Sequence, residues 1–279
     1  MNGPPPAQPP FPTEERREKQ GGSVLPKVTI CVLTYGNYPQ LARQSIESVR
    51  VHCQRSQYRL VVGANAVGAE TYDYFKRLEA MAEIDRLIVS PINLNKCPMM
   101  RRMFESIDTE FIWWFDDDSH IAEPTAFARW LDHTSGAPEA TVLWGEMAYC
   151  GHKLGFTDIE DVFGFVRTAP WYRGLPPPSW YPGGKGEFNF QNKGTGDGRW
   201  FFVVGGCWLI RTRTVRALDW PDKRLIKLGD DVFLGEAIRQ NGWALANVDT
   251  PGVAINTEAR RGEAGDAADQ SRMDANKSE

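Results

Sequence analysis

The sequence is poor in cysteine and contains no long apolar run. No stretch approaches the roughly 18 apolar residues of a membrane span, and the N-terminus lacks the charged-then-apolar layout of a secretion signal. We therefore expect no transmembrane segment and a cytoplasmic location. The five cysteines have no CxxC spacing, which argues against a zinc cluster or a disulfide framework. They are Cys31, Cys53, Cys97, Cys150 and Cys207.

An excess of positive charge is also missing. The formal net charge is -4 and the pI is about 5.7, so the chain has no overall basic field of the kind that drives binding to nucleic acid or anionic membranes. Apolar residues make up 42% and charged residues 24%, which is typical of globular proteins. The length of 279 residues is enough for one large α/β domain.

Composition divides the chain into a body and two tails. Residues 1–25 are rich in proline and then in charge, so we expect a flexible tail. Residues 259–279 are polar without apolar periodicity and are expected to form a second flexible tail. The predicted single domain is 26–258.

Apolar strands alternate with helical segments through the first half of this domain. The pattern predicts strands over 28–33, 58–62, 86–89 and 111–115, with helices between them, two of which cover about 70–82 and 98–107. Such alternation implies right-handed crossovers and a mostly parallel central sheet flanked by helices. In open sheets of this class, ligands bind beyond the carboxyl ends of the strands.

Three consecutive carboxylates, Asp116-Asp117-Asp118, follow the strand over 111–115. Adjacent anions repel, and a bound cation would offset that repulsion. Asp116 and Asp118 can face the same side of an extended backbone, which suggests an Asp-x-Asp clamp for Mn²⁺ or Mg²⁺. The alternative is that Asp118 or Ser119 caps a helix over about 124–131.

A second acidic pair, Asp230-Asp231, follows Gly229 and opens a segment of helical spacing that ends at Gly242. Carboxylates in the first turn of a helix are stabilised by its dipole, so both residues could simply cap the helix. Alternatively, an ionised aspartate near a bound substrate could accept a proton as a general base.

Two further stretches between these acidic motifs suggest binding. Gly205-Gly206 lies within a strand over 203–211 and either lets a ligand approach the backbone or marks a β-bulge. The segment 168–200 is dense in aromatic residues without a regular period, which favours either a lid that binds the acceptor or a small satellite core. Its candidate acceptor contacts are Trp171, Trp180 and Tyr181.

The order of these motifs resembles family 2 of the glycosyltransferases, which have the GT-A fold. The strand ending at Thr34-Tyr35, the segment 93–96 leading to the acidic triplet, the paired glycines before Arg211, and the acidic pair opening its helix are each similar to a family motif. The resemblance covers about 27–246 and implies an inverting enzyme that transfers sugar from a nucleotide-diphosphate donor, expected to be a UDP-sugar. The acceptor would be a hydroxyl of a glycan, lipid, metabolite or modified nucleic acid.

The resemblance also implies residue roles. Asp116 and Asp118 would hold the metal, and Asp231, next to Asp230, would be the catalytic base. Asn65 takes the place of a family aspartate that contacts the base, and Arg101 is a candidate phosphate contact or part of a solvated helix face. The residues expected to bind the nucleotide sugar are Thr34, Tyr35, Gly36, Asn65, Asn93, Lys96, Arg101, Asp116, Asp117, Gly205 and Gly206. A nucleotidyltransferase-like enzyme and a non-catalytic binding module are the alternatives.

Overall fold

The computed structural model describes residues 26–149, 164–175, 201–226, 230–249 and 251–255. The two predicted tails therefore lie outside the described residues. Within the described ranges, no helix is long and apolar enough to cross a membrane.

A seven-stranded sheet forms the centre of the molecule. Its strands are β1 Val28–Tyr35, β2 Tyr58–Asn65, β3 Arg86–Ser90, β4 Phe111–Phe115, β6 Thr141–Tyr149, β7 Phe201–Arg211 and β8 Ala244–Asn247. They lie in the order β3-β2-β1-β4-β7-β6-β8. Four of the neighbouring pairs are parallel, and β7 is antiparallel to both β4 and β6, which confirms the predicted mostly parallel sheet. A separate two-stranded sheet pairs β5 Ser119–Ile121 with β9 Val253–Ile255.

The described helices lie between the strands, and each except that over 212–218 overlaps a segment that the sequence pattern predicts as helical. They are α1 Pro39–His52, α2 Ala69–Ala80, α3 Lys96–Phe104, α4 Ala126–Thr134, α5 Thr212–Leu218 and α6 Asp230–Gln240. Buried apolar residues recur along one side of each of the longer helices α1 and α2, because that side faces the sheet. A short 3₁₀ helix, Arg55–Gln57, precedes β2.

The core lies on both faces of the sheet. Successive residues of β4 alternate between the two sides, so Trp113 belongs to one apolar cluster and Trp114 to the other. The Trp114 ring stacks on Trp208 with 5.6 Å between ring centroids, and Trp113 packs against Phe127. Both tryptophan rings are fully buried.

The parallel strands bring their carboxyl ends to one edge of the sheet. Tyr35 at the end of β1 lies in register with Asn65 at the end of β2, and Phe115 at the end of β4 lies in register with Val32. The acidic triplet follows Phe115 directly and therefore lies at this edge. The helix-cap alternative for the triplet is wrong, because α4 begins only at Ala126 and has Thr125 at its N-cap position.

Strand β7 carries a bulge beside the end of β4. Gly145 of β6 pairs with Trp208, but Met147 pairs with Val203, so the residues between Val203 and Trp208 outnumber those opposite. Gly205 and Gly206 lie in this bulge. The β-bulge predicted as one alternative is present, and it brings the β7 backbone next to the acidic triplet.

Candidate active site

The acidic triplet begins with a carboxylate held from two sides. Asp116 accepts hydrogen bonds from the Trp114 indole N–H at 2.9 Å and from the Lys96 ammonium at 3.1 Å. Its backbone N–H donates to the Gly206 carbonyl at 2.9 Å. The end of β4, helix α3 and the β7 bulge thus fix Asp116 together.

Helix α1 contacts the backbone on either side of Asp118 through Ser45. The Ser45 hydroxyl lies 3.1 Å from the Asp117 carbonyl and 2.7 Å from the Ser119 carbonyl. Asp117 and Asp118 are each only 4% exposed. Burial, and then the negative charge of Asp116, raise the pKa of Asp118 to about 6. The charges of Asp116 and Asp118 are therefore close enough to destabilise each other.

The second acidic pair opens α6, as its sequence predicts. Asp231 accepts a hydrogen bond from the Val232 N–H at 2.8 Å, and Asp230 forms an ion pair with Lys96 at 3.0 Å. Burial, and then the charge of Asp230, raise the pKa of Asp231 to about 6. Burial also raises the pKa of Asp230. An ionised Asp231 consequently has a greater proton affinity than an ordinary aspartate.

Lys96 joins the two acidic motifs. Its ammonium donates to Asp116 at 3.1 Å and to the Gly205 carbonyl at 3.3 Å, and it lies 3.0 Å from the Asp230 carboxylate. An ammonium has three N–H donors, so these three acceptors match its capacity. Burial acts against its charge, but Asp116 and Asp230 outweigh that effect and raise the pKa of Lys96. Lys96 is a permanent cation at the centre of the site.

The paired glycines allow the β7 backbone to approach this cation. A Cβ atom on Gly205 would lie 3.3 Å from both the Asp231 carboxylate and the Lys96 ammonium. A Cβ atom on Gly206 would lie 2.7 Å from Ile255 and 3.2 Å from the Ser119 hydroxyl. The absence of a side chain at Gly205 leaves the space beside Lys96 and Asp231 open, whereas its absence at Gly206 makes room for Ile255 and Ser119.

The predicted nucleotide side lies at the ends of β1 and β2. Thr34 is buried and its hydroxyl donates to the Gly63 carbonyl of the neighbouring strand at 3.0 Å. Tyr35 contacts Tyr38 edge-to-face, and Gly36 has a φ of +67°, which starts the turn into α1. Thr34 therefore supports the edge of the sheet, whereas Tyr35 is partly exposed there and Gly36 is buried.

Asn65 fixes the loop that follows β3. Its side-chain amide donates to Asn93 at 2.9 Å and accepts from the Leu94 N–H at 2.9 Å. Asn93 also accepts from the N–H of Asn95, which has a φ of +67°. Asn65 is only 2% exposed. This network orients the loop leading to Lys96, and it engages the Asn65 side chain that the sequence assigned to nucleotide binding.

Two other predicted residues are not brought to this cluster. The Arg101 guanidinium donates to the Asp219 and Pro221 carbonyls and to the Asp219 carboxylate. Trp171 is 1% exposed, and its indole N–H donates to Asp222 at 3.2 Å, so the ring belongs to the core rather than to an acceptor platform. The other two acceptor candidates, Trp180 and Tyr181, lie outside the described residues.

The carboxylates fit a cation that also binds other ligands. Among the residues that the structure describes, no group of three or more His, Cys, Asp or Glu side chains could hold a metal ion. Mg²⁺ and Mn²⁺ commonly take one or two carboxylates, with water and phosphate oxygens completing the shell. The mutual destabilisation of Asp116 and Asp118 is what such a cation would relieve. The donor set therefore fits a metal held jointly with a diphosphate.

Sequence reasoning missed two supporting contacts. Trp114 lies in the predicted strand over 111–115 and its ring packs in the core, but its N–H also donates to Asp116. Ser45 had no motif, yet its hydroxyl contacts the backbone of the triplet. A serine on the buried side of the amphipathic helix α1 was the available signal, because a buried hydroxyl requires a partner.

The comparisons with known proteins identify a structural relationship. The sequence matches no protein-family model and no curated protein. Its structure is similar to that of the mannosyltransferase PcManGT from Pyrobaculum calidifontis, solved in complex with GDP-Man and Mn²⁺. That match has a TM-score of 0.54 at 14% identity and covers 82% of this chain and 56% of that chain.

A second structure, residues 1–349 of TarS from S. aureus, has a TM-score of 0.49 at 12% identity, over 80% of this chain and 58% of that one. The chain therefore spans less than two thirds of the length of these two structures. The first match shows that the α/β fold with its mostly parallel central sheet is shared with that mannosyltransferase.

Proposed function

We propose that the chain is an inverting glycosyltransferase of family 2, which transfers a sugar from a nucleotide-diphosphate donor to an acceptor hydroxyl. The observation that carries this proposal is the meeting of two acidic motifs around Lys96 at the carboxyl edge of the sheet. One motif suits a cation bound to a diphosphate, and the other offers a carboxylate of raised proton affinity. A sugar transferase needs both functions within one cleft.

The donor side of the proposed site is the acidic triplet. Asp116 and Asp118 would hold Mn²⁺ or Mg²⁺, and Asp117 would support the loop or contact the nucleotide. When bound, the cation would neutralise charge on the departing nucleoside diphosphate. The Tyr35-Gly36 turn and the Asn93 loop border this side, and Gly205 leaves room for the donor sugar. The expected donor is a UDP-sugar.

Asp231 is the proposed catalytic base. In an inverting transfer, the acceptor oxygen forms the new bond to the anomeric carbon while the bond to the nucleoside diphosphate breaks, and the base takes the hydroxyl proton. Asp230 is less suited to this role because its carboxylate is paired with Lys96. The raised pKa of Asp231, about 6, leaves it ionised at neutral pH while strengthening it as a proton acceptor.

The comparison supports the same reading at the level of ligand class. PcManGT, with the same fold, binds GDP-Man and Mn²⁺. At 14% identity this supports a nucleotide-sugar donor and a divalent cation, and the choice of base and sugar is left to experiment.

A thermal-shift panel tests the donor site. UDP, GDP, ADP, CDP and dTDP are each added to the full chain with Mn²⁺, with Mg²⁺ and with EDTA. We expect one nucleotide to raise the melting temperature in a metal-dependent way, because a ligand that binds only the folded state stabilises it. If no nucleotide changed the melting temperature under any of these conditions, the donor site would be wrongly assigned.

Asp231→Asn tests the base. The assay uses a nucleotide sugar that carries the nucleobase selected by the panel. We expect the variant to lose on the order of 10²-fold or more in the rate of nucleotide release, because proton transfer to a general base contributes about 10²–10⁴-fold. Its affinity for the nucleotide with Mn²⁺ should remain within about twofold of wild type. Persistent turnover would show that another group is the base, and equal nucleotide release by both proteins at background rate would favour a non-catalytic module.

A further inference from the structure

We propose that Arg101 is a positioning residue for the acidic pair at the start of α6. Through helix α3 it would fix the bend at residues 219–221 relative to Asp230 and Asp231, instead of contacting a donor phosphate. This inference rests on the proposed function for its catalytic meaning. Its structural content can be tested without turnover.

The contacts of Arg101 are all made to the bend that ends α5. One terminal nitrogen donates to the Asp219 carbonyl at 2.7 Å and to the Pro221 carbonyl, and the other donates to the Asp219 carboxylate. Asp219 has a φ of +51°, so the chain reverses direction at this residue. A single rigid guanidinium therefore holds both sides of the bend.

Helix α3 also contacts the same segment farther along. The Cys97 N–H donates to the Ile226 carbonyl at 3.1 Å, and Lys96 pairs with Asp230 at 3.0 Å. Helix α3 thus contacts Asp219 and Pro221 through Arg101, Ile226 through Cys97, and Asp230 through Lys96. Because the helix is rigid, fixing the bend at one end of α3 restricts where the acidic pair can lie at the other.

The opposite side of the segment is anchored to the core. Asp222 accepts hydrogen bonds from Trp171 at 3.2 Å and from Arg224 at 2.7 Å. These contacts hold Asp222, the residue after Pro221, but neither Trp171 nor Arg224 belongs to helix α3. Among the described contacts of this bend, those of Arg101 link it to the helix that carries Lys96.

The same geometry disfavours a phosphate contact. Bidentate binding of phosphate requires two parallel N–H donors of the guanidinium fork to face the ligand. In Arg101 both terminal nitrogens face Asp219 and Pro221, and the side chain is 23% exposed. A phosphate role would require these contacts to break.

The test compares Arg101→Met with Arg213→Met. Arg213 makes the same kinds of contact to the carboxylate and carbonyl of one residue, Glu139, but it lies just beyond Arg211, at the edge of the sheet opposite the site. Methionine keeps most of the apolar stem and removes the charge and the donors in both variants. Amide hydrogen exchange is measured over 234–237, because the N–H groups of these residues bond the carbonyls of the first turn of α6, which includes Asp230 and Asp231. Strand β1 serves as an internal reference, and the affinity for each nucleotide of the panel with Mn²⁺ is measured by calorimetry.

We expect Arg101→Met to raise exchange over 234–237 by about tenfold while β1 stays protected, since loss of a local anchor lowers the free energy of local opening. Nucleotide affinity should stay within about twofold of wild type. Arg213→Met should change neither quantity, and Arg101→Lys, which can reach fewer acceptors, should give an intermediate increase in exchange.

A tenfold loss of nucleotide affinity in Arg101→Met would overturn the proposal, since it would indicate a phosphate contact. Unchanged exchange over 234–237 would overturn it as well. If wild-type protein bound no nucleotide, the proposed function would fail, but the exchange comparison would still decide whether Arg101 positions the acidic pair.

Discussion

At the scale of single residues, the site depends on one ammonium group shared between two acidic motifs. Lys96 pairs with Asp116 on the proposed donor side and with Asp230 at the start of α6. Without Lys96, the buried carboxylate of Asp230 and the partly buried carboxylate of Asp116 would lose this cation, which is energetically unfavourable. This arrangement distinguishes the two members of the acidic pair. Asp230 forms an ion pair with Lys96, whereas no ion pair of Asp231 is found among the described residues.

The assignment of Asp231 as base predicts the pH dependence of turnover. Burial and the charge of Asp230 raise its pKa to about 6, so its basic form predominates above that pH. With saturating nucleotide sugar and Mn²⁺, we expect the rate to be level above about pH 7 and to fall about tenfold for each pH unit below about 6. The measurement is the rate of nucleotide release between pH 5 and 8.

Saturating donor is an important part of that measurement. Asp118 also has a pKa of about 6, and bound cation would keep it ionised during the titration. A rate that stayed constant from pH 5 to 8, with sugar transfer as the limiting step, would contradict the assignment of Asp231.

The residues of the site were predictable to the extent that they carry charge in a motif. Asp116, Asp118, Lys96 and Asp231 could all be named from the sequence, but the pairing of Lys96 with both motifs could not, because it joins positions far apart in the chain. Arg101 shows the same limit. Its residue type suggests a phosphate contact, and only the fold reveals the backbone carbonyls that it contacts.

At the scale of elements, the β7 bulge determines how closely the backbone approaches the site. Strand β1 and strand β4 were predictable because continuous apolar runs indicate strands buried on both faces. The sequence left the role of Gly205-Gly206 open between a bulge and a close approach. The bulge is present and brings Gly205 beside Lys96, while the approach of a ligand to this backbone stays a prediction.

Alanine substitutions in β7 should separate stability from activity. In Gly205→Ala the new methyl group would lie 3.3 Å from Asp231 and Lys96, so we expect a fall in turnover with a loss below about 1 kcal/mol in the free energy of unfolding. In Gly206→Ala the methyl would lie 2.7 Å from Ile255 in β9, and we expect a loss of about 1–3 kcal/mol from overpacking.

Gly164→Ala is the matched control for these variants. Nothing lies within 4 Å of the position that its Cβ would take, so its unfolding free energy should change by less than about 0.5 kcal/mol. Urea unfolding and nucleotide release are measured for all three. Full activity in Gly205→Ala would mean that the space beside Lys96 is not used by the substrate.

At the scale of the whole molecule, the alternation of strands and helices predicted the parallel half of the sheet but not the rest. Parallel strands β1 to β4 follow one another with helices between, so their order follows from short right-handed connections. The antiparallel neighbours β6 and β7 are separated by a long segment, and local patterns do not determine which strand a distant segment joins. Yet that pairing supplies the paired glycines that complete the site.

The acidic site should also make the stability of the whole molecule depend on pH. The pKa of Asp118 is raised from 3.8 to about 6, so the folded chain holds this proton more tightly than the unfolded chain. Its protonation therefore stabilises the fold fully below pH 3.8, and this contribution is lost as the pH rises through 6. At pH 7 the ionised carboxylate is a net cost to the protein without ligand.

Asp118→Asn should consequently stabilise the ligand-free protein at pH 7, by about 1–3 kcal/mol, because a pKa change of about two units corresponds to nearly 3 kcal/mol. The difference in unfolding free energy between variant and wild type should shrink towards pH 4. Asp222→Asn is the control of opposite sign. Although burial acts against its charge, hydrogen bonds from Arg224 hold the pKa of Asp222 below its usual value, so removing that carboxylate should destabilise the fold.

The same variant links stability to ligand binding. Mn²⁺ with the nucleotide selected by the panel should raise the melting temperature of wild type more at pH 7 than at pH 5, because the cation requires ionised carboxylates. Asp118→Asn should lose most of this increase while its ligand-free melting temperature is higher than that of wild type. A variant that was less stable at pH 7 and still fully responsive to Mn²⁺ would show that Asp118 is neither a destabilised carboxylate nor a metal ligand. Opposite changes in ligand-free and ligand-bound stability are therefore the expected result for a carboxylate whose charge serves binding at the expense of the fold.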